Sequence, residues 1–327
     1  MTVAPVPFDP ALKAILESMP RSEGPEPSAA EAVSMMRATG GGMPTLSIAE
    51  VIGTREIDVE ERTIPGPDGA PDLEITVLRP RHLDAPVPGL YNIHGGGMIS
   101  GHRYQDTPRL ADLVEELGVV AVNVEYRLAP ENPDPAPVED CYAGLRWMSE
   151  NAAELGVDPR RIVVMGGSAG GGLSAGVALL ARDREGPHLA GQLLLCPMLD
   201  DGNTTPASHQ YDGIGTWQRG MNLLAWRALL GEKAGDPAAD VSIYAAPARA
   251  TDLSGLPPAF VEAGSAELFR DEDVEYASRI WAAGGQAELH IWSGGFHGFD
   301  VFAPEHEMTR AALAARLSWL RRVFDLG

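Results

Sequence analysis

A serine hydroxyl attacks a carbonyl only when a base takes its proton and a third group holds that base in place. The pentapeptide Gly166-Gly167-Ser168-Ala169-Gly170 puts one serine where this could happen. The apolar run Ile162-Val163-Val164-Met165 precedes it, and a small-residue helix pattern follows. A serine on so tight a strand-to-helix turn sits at strained backbone angles, and bulk two residues to either side would strike the adjoining strand or helix. The turn lifts the hydroxyl above the sheet edge, with room for a base on one side and a substrate on the other. In a chain with 37 glycines the pattern alone is weak, and Gly172-Leu173-Ser174-Ala175-Gly176 repeats it. That second copy falls inside the following helix with no strand directly before it. Ser174 therefore reads as a small residue that lets the helix pack closely, and Ser168 is the expected nucleophile.

The expected base is His297, in Gly294-Gly295-Phe296-His297-Gly298-Phe299 directly after the last predicted strand. A loop there returns to the carboxyl edge of a sheet, where a general base must stand. His290 falls inside that strand and His306 just ahead of a helix. Negative charge developing on a carbonyl oxygen needs donors, and His94-Gly95-Gly96-Gly97 follows another apolar strand with its glycine N–H groups free to supply them. The N–H of Ala169, next after the serine, is a further donor. Trp217, Met221, Leu224 and Trp226 recur at helical spacing. They either line an acyl or alcohol pocket or pack their segment down.

Such groups need a rigid frame. From Glu56 onward strand and helix patterns alternate, which means a mostly parallel sheet with right-handed crossovers and helices on both faces. Expected strands are Ile57 to Ile64, Leu73 to Leu78, Val87 to Ile93, Val119 to Val124, Ile162 to Met165, Leu193 to Cys196, Ala259 to Ala263 and Ala287 to Trp292. Residues 1–55 form a helical arm with Asp9-Pro10 opening one helix, a second helix over Glu31 to Arg37, and Gly40-Gly41-Gly42 as its stop. Residues 56–200 and 257–327 make the α/β core, and the strand-free insertion 201–256 joins the arm as a helical cap.

Composition narrows the rest. A 44% apolar content in 327 residues fills a large core, yet no run reaches the ~18–20 apolar residues of a membrane span. Twenty-five basic against 46 acidic residues leave −21, a surface that repels nucleic acid and anionic membranes. The first twenty residues lack the basic start and apolar stretch of a signal peptide, so a cytoplasmic protein is expected. Cys141 and Cys196, in a predicted helix and strand, then read as free thiols. No His or Cys spacing suits a metal, and no cofactor is expected.

Five ordered blocks together resemble the bacterial hormone-sensitive-lipase-like carboxylesterases: His94-Gly95-Gly96-Gly97, Glu125-Tyr126-Arg127-Leu128-Ala129-Pro130-Glu131, Gly167-Ser168-Ala169-Gly170-Gly171, Arg270-Asp271-Glu272 and His297-Gly298-Phe299. The likeness runs from Leu73 to the C-terminus, and Asp240 to Pro258 resembles the heroin-esterase-type members. It implies an α/β-hydrolase fold and a serine esterase acting on small, short-acyl esters through an acyl-enzyme. It also implies oxyanion donors at Gly96, Gly97 and Ala169, and no metal or cofactor. Two positions depart from the pattern. Gly167 replaces an aspartate beside the serine, and the family's triad aspartate falls on Glu267, with Asp271 as the rival acid. An acyltransferase or amidase would use the same triad. A binding receptor on this fold, as in the plant gibberellin receptors, would lack the histidine that His297 supplies. The last strand, at an exposed sheet edge, permits a homodimer or a monomer equally.

Overall fold

The computed structural model describes residues 4–19, 28–39 and 46–326. Three short helices come first: α1 (Pro10–Ser18), α2 (Ala29–Ala38) and α3 (Ile48–Ile52). The Asp9 carboxylate caps α1 by accepting from the N–H groups of Ala11 and Leu12, with Pro10 in the first turn where its missing N–H costs nothing. Ser28 with Glu31 and Ser47 with Glu50 form reciprocal capping boxes on α2 and α3. Helix α3 is not among the expected elements; the Ser-x-x-Glu signature at Ser47 is the local signal that marks it. The glycine stop expected at Gly40 to Gly42 lies outside the described residues.

Eight strands follow: β1 (Ile57–Ile64), β2 (Leu73–Pro80), β3 (Val87–Ile93), β4 (Val120–Glu125), β5 (Val157–Gly167), β6 (Gly191–Leu195), β7 (Ala259–Gly264) and β8 (Ala287–Trp292). Helix α4 (Thr107–Leu117) follows β3, α5 (Ala136–Glu150) and α6 (Ala152–Leu155) follow β4, and α7 (Ala169–Asp183) follows β5. Next come α8 (Pro206–Gln210) and α9 (Arg219–Leu230) between β6 and β7, then α10 (Arg270–Ala282) after β7. The chain finishes with α11 (Phe299–Phe302) and α12 (Glu307–Val323).

Strand order is β1-β2-β4-β3-β5-β6-β7-β8, parallel from β4 to β8, with β2 antiparallel to both its neighbours. Alternate residues of the central strands feed two cores, as the two-residue period of a strand requires. Tyr91, Val122 and Val164 meet α5, α7 and α10 on one face. Leu90, Ala121 and Val163 meet α4 and α12 on the other. Burial on both faces explains why these strands are continuous apolar runs.

The chain steps outward from β3 to β4 and then back across to β5, so β3 and β5 flank the point where strand order reverses. Ligand crevices of open α/β sheets form outside the carboxyl ends at such a point. Among the described residues no helix is long and apolar enough to cross a membrane.

Candidate active site

Ser168 ends β5 and caps α7 at φ 58°, ψ −123°. That is the strained, positive-φ turn anticipated for it, and backbone contacts hold it there. Its N–H donates to Leu195 O at 2.8 Å and its carbonyl accepts from Gly172 and Met198. A side chain at Gly170 would bring Cβ within 2.0 Å of Ile93 O, and one at Gly166 within 2.4 Å of the Gly170 backbone. The two glycines thus let β3, β5 and α7 meet at one point. Ser174 is fully buried in α7 and its Oγ donates to Gly170 O at 2.7 Å.

His297 stands on the loop after β8, with Nε2 2.9 Å from Ser168 Oγ and Nδ1 2.5 Å from Glu267 Oε2. A carboxylate only accepts, so Nδ1 carries the hydrogen and Nε2 is left to accept from the serine hydroxyl. Glu267, in the turn after β7, is 2% exposed and its Oε1 accepts from Gly264 N at 2.7 Å. Phe269 sits edge-on to the imidazole at 5.1 Å, and Thr216 Oγ1 donates to His297 O at 2.5 Å. The N-terminal stretch buttresses the same loop: Asp9 N–H donates to Gly294 O, and Leu12 of α1 packs with Phe296 and Phe299. Asp271 lies in the first turn of α10 and accepts from Ala207 N at 2.7 Å, which ties down α8 rather than the imidazole.

Beneath the histidine loop, Asp300 approaches Arg316 at 2.8 Å and Arg109 at 3.5 Å. Burial pushes its carboxyl up, but these two guanidinium groups outweigh that and bring it down to about 2. Arg316 also donates to Glu262 of β7, so α11, α12 and β7 are joined by charge. Gly167, where the family pattern has an aspartate, lies beside this cluster; a Cβ there would stand 3.8 Å from Arg109 Nη1.

Register brings the glycine run to the serine. Ile93 pairs with Gly166, so the residues after each strand emerge side by side. Gly95, Gly96 and Ser168 line one cavity of about 710 Å³, within the range of small-ligand pockets. Gly97 faces the Trp217 ring, which a Cβ there would reach at 2.5 Å. Ala169 is the first residue of α7, where N–H groups are unclaimed by the helix. His94 is fully buried, stacked on Tyr126 at 4.2 Å and bonded to Gly95 O, and burial lowers its pKa. It shapes the loop as a neutral ring.

Trp217 and Met221 line the cavity, whereas Trp226 is on the wholly buried side of α9 and Leu224 lies off the cavity. The opposite wall comes from α2 through Ala32, Met35, Met36 and Thr39, residues that no sequence motif singled out. Arg37 pins that helix, with Nε donating to Ile99 O, Nη2 to Ala129 O, and both Nη atoms to the Glu131 carboxylate. Cys196 also departs from expectation. It lies beyond the end of β6 in a bend at φ 39°, although its N–H still donates to Glu262 O at 2.6 Å and Leu195 O still accepts from Ser168 N–H, as in a parallel ladder. Both cysteines are free thiols, Cys141 buried and Cys196 half-buried.

A profile of the alpha/beta hydrolase fold matches residues 90–301, which includes every block named above except the arm. The chain is 37% identical to carboxylesterase NlhH of Mycobacterium tuberculosis over 98% of each sequence. The chain belongs to the hormone-sensitive-lipase-like α/β-hydrolases. Among solved structures, this α/β-hydrolase superposes on a bacterial heroin esterase with TM-score 0.88 and 40% identity, covering 97% of this chain and 98% of that one. Esterase LipW from Mycobacterium marinum superposes with TM-score 0.85 at 30% identity over 99% of both.

Proposed function

We propose that this carboxylic-ester hydrolase cleaves small, short-acyl esters by a double displacement centred on Ser168. The observation that carries the reading is the unbroken run of contacts from Glu267 through His297 to Ser168, with the hydroxyl facing a cavity of about 710 Å³. In the first step Ser168 Oγ attacks the ester carbonyl while His297 Nε2 takes its proton. Glu267 holds the imidazolium from behind, so the positive charge forms against a fixed carboxylate. The tetrahedral oxyanion accepts from the N–H groups of Gly96, Gly97 and Ala169; each such donor is worth about 3 kcal/mol in the transition state. His297 then protonates the leaving alcohol. In the second half it activates a water that hydrolyses the acyl-enzyme.

The arm, residues 1–55, and the insertion, residues 201–256, together serve as a cap over the strand ends of the core segments 56–200 and 257–327. Support comes from the cavity walls, since Met35 and Met36 come from one and Trp217 and Met221 from the other. The short-acyl preference rests on the carboxylesterase and heroin-esterase relatives and on this limited cavity. A fluorophosphonate probe tests the nucleophile. Wild-type protein is expected to take the label and lose turnover of a short-chain aryl ester. Ser168→Ala is expected to refuse the label and lose roughly 10⁴-fold or more in kcat, and a labelled, active Ser168→Ala would overturn the assignment.

A further inference from the structure

Cys196 has no part in the chemistry above, yet its thiol lies with the Glu267 carboxylate and an imidazole nitrogen of His297 so that all three donor atoms fall within 4.8 Å of one another. Sulfur, nitrogen and carboxylate oxygen are the donors that bind zinc and its heavier, more thiophilic relatives. Among the described residues no other cluster offers such a set. Each donor is carried on fixed backbone. Cys196 N–H is bonded to Glu262 O, Glu267 accepts from Gly264 N, and the His297 carbonyl accepts from Thr216. All three side chains border the cavity, so a hydrated ion reaches them by the substrate's own route.

We propose that Cys196 converts the acid–base pair of this esterase into a reversible binding site for a thiophilic divalent cation, which arrests the enzyme while bound. The inference rests on the catalytic roles assigned above to Glu267 and His297. Zinc–ligand bonds of about 2.0–2.3 Å put tetrahedral ligands about 3.5 Å apart, so an ion spreads the 2.5 Å contact between Nδ1 and the carboxylate by roughly 1 Å and draws in donors that lie up to 4.8 Å apart by a similar distance. The metal takes the place between Nδ1 and the carboxylate that a hydrogen occupies otherwise. The thiol proton leaves to solvent as the metal–sulfur bond forms, and the imidazole proton moves from Nδ1 to Nε2. With Nε2 now a donor, the ring cannot accept the serine proton, and attack on the ester stops. The cavity side of the ion is left for a water.

Cadmium chloride is the probe, applied to the full-length wild type, Cys196→Ala and Cys196→Ser, with each rate normalised to the same protein without metal. Expected are inhibition of the wild type that a chelator reverses, and a half-inhibiting concentration about tenfold or more higher in both variants. The ultraviolet charge-transfer band of a cadmium thiolate, read on Ser168→Ala and on Ser168→Ala/Cys196→Ala, reports the site without turnover. It is expected in the first and absent in the second. Equal sensitivity of Cys196→Ala and wild type, or a band that does not depend on Cys196, would overturn the proposal. If instead Glu267→Ala retained full turnover while Ser168→Ala, with Glu267 in place, still gave the Cys196-dependent band, the metal site would stand and the catalytic reading would fall.

Discussion

Two copies of Gly-x-Ser-x-Gly follow one another along the same stretch of chain, and they do opposite things. In the first, Ser168 caps α7 at φ 58° and stands 2.9 Å from an imidazole. In the second, Ser174 turns back inside the helix to donate to Gly170 O. The glycines differ in purpose too. Gly166 and Gly170 allow β5 and α7 to touch β3, whereas Gly172 and Gly176 let other chain segments cross the helix. A Cβ on either of the latter would lie 2.1 Å from the carbonyl of Met198 or Tyr244. The pentapeptide is therefore a record of close backbone approach. Only in the first copy does that approach occur at a strand end that also meets an imidazole.

The sharpest way to test that contrast is to remove the support that only the first copy has. Glu267→Ala is expected to lower kcat/KM about 10³-fold or more, since an unheld imidazole loses its tautomer and position. Asp271→Ala, which loosens α8, should stay within about fivefold. Steady-state hydrolysis of one aryl ester compares them, and parity between the two would remove Glu267 from the site.

Next in size are the glycines. Gly170→Ala and Gly176→Ala should each destabilise by about 1–3 kcal/mol through overpacking against backbone. Denaturant titration measures this loss. Only Gly170→Ala is expected to cut turnover per folded molecule as well, and an equal loss in Gly176→Ala would erase the distinction.

A similar contrast separates two buried carboxylates near β7. Glu267 has both oxygens engaged, while Asp273 is buried with neither oxygen bonded among the described residues. Burial, then the charges of Glu272 and Glu267, push the Asp273 carboxyl well above the ordinary value. A carboxyl raised in the folded state favours folding at low pH, and that contribution is lost as pH climbs past its unfolded value. Asp273→Asn should accordingly stabilise the protein by about 1–2 kcal/mol at pH 8 and by less at pH 5, read from urea midpoints. A gain that did not grow with pH would mean the charge is compensated. The smallest effect belongs to Ser174→Ala: stability within about 1 kcal/mol and kcat within about twofold of the wild type.

The parts of the molecule that were legible in the sequence are those governed by short-range periodicity. Every strand pattern, from Ile57 to Trp292, is a strand of the sheet, and the helix expected over Glu31 to Arg37 extends by only one or two residues at its ends. Ser168, His297 and Glu267 stand on three loops far apart in the chain, and only the sheet's topology brings them together. What escaped notice depends on contacts across long sequence distances. Nothing local tells that Met35 and Met36 wall the cavity, because α2 is an ordinary amphipathic helix until Arg37 docks it on the carbonyls of Ile99 and Ala129. Cys196 looked like strand because Leu193 to Leu195 are apolar. The backbone turns there to φ 39°, which ends the strand one residue earlier. Trp226 and Met221 share one periodicity, and only burial distinguishes the one that packs from the one that faces the cavity.

The pairing of Ile93 with Gly166 has a further meaning. Adjacent strands lie about 4.8 Å apart whatever side chains they bear, because the peptide ladder sets that distance. Ser168 and the glycine run thus share a ruler made of backbone, indifferent to drift in the apolar cores above and below. Glu267 and His297 ride on the loops after β7 and β8, further along the same ruler, but reach inward over a span that side chains decide. Over evolutionary time such a molecule can exchange much of its interior and keep Ser168 against the glycine run, while the loops after β7 and β8 are free to shift with the side chains that set their span.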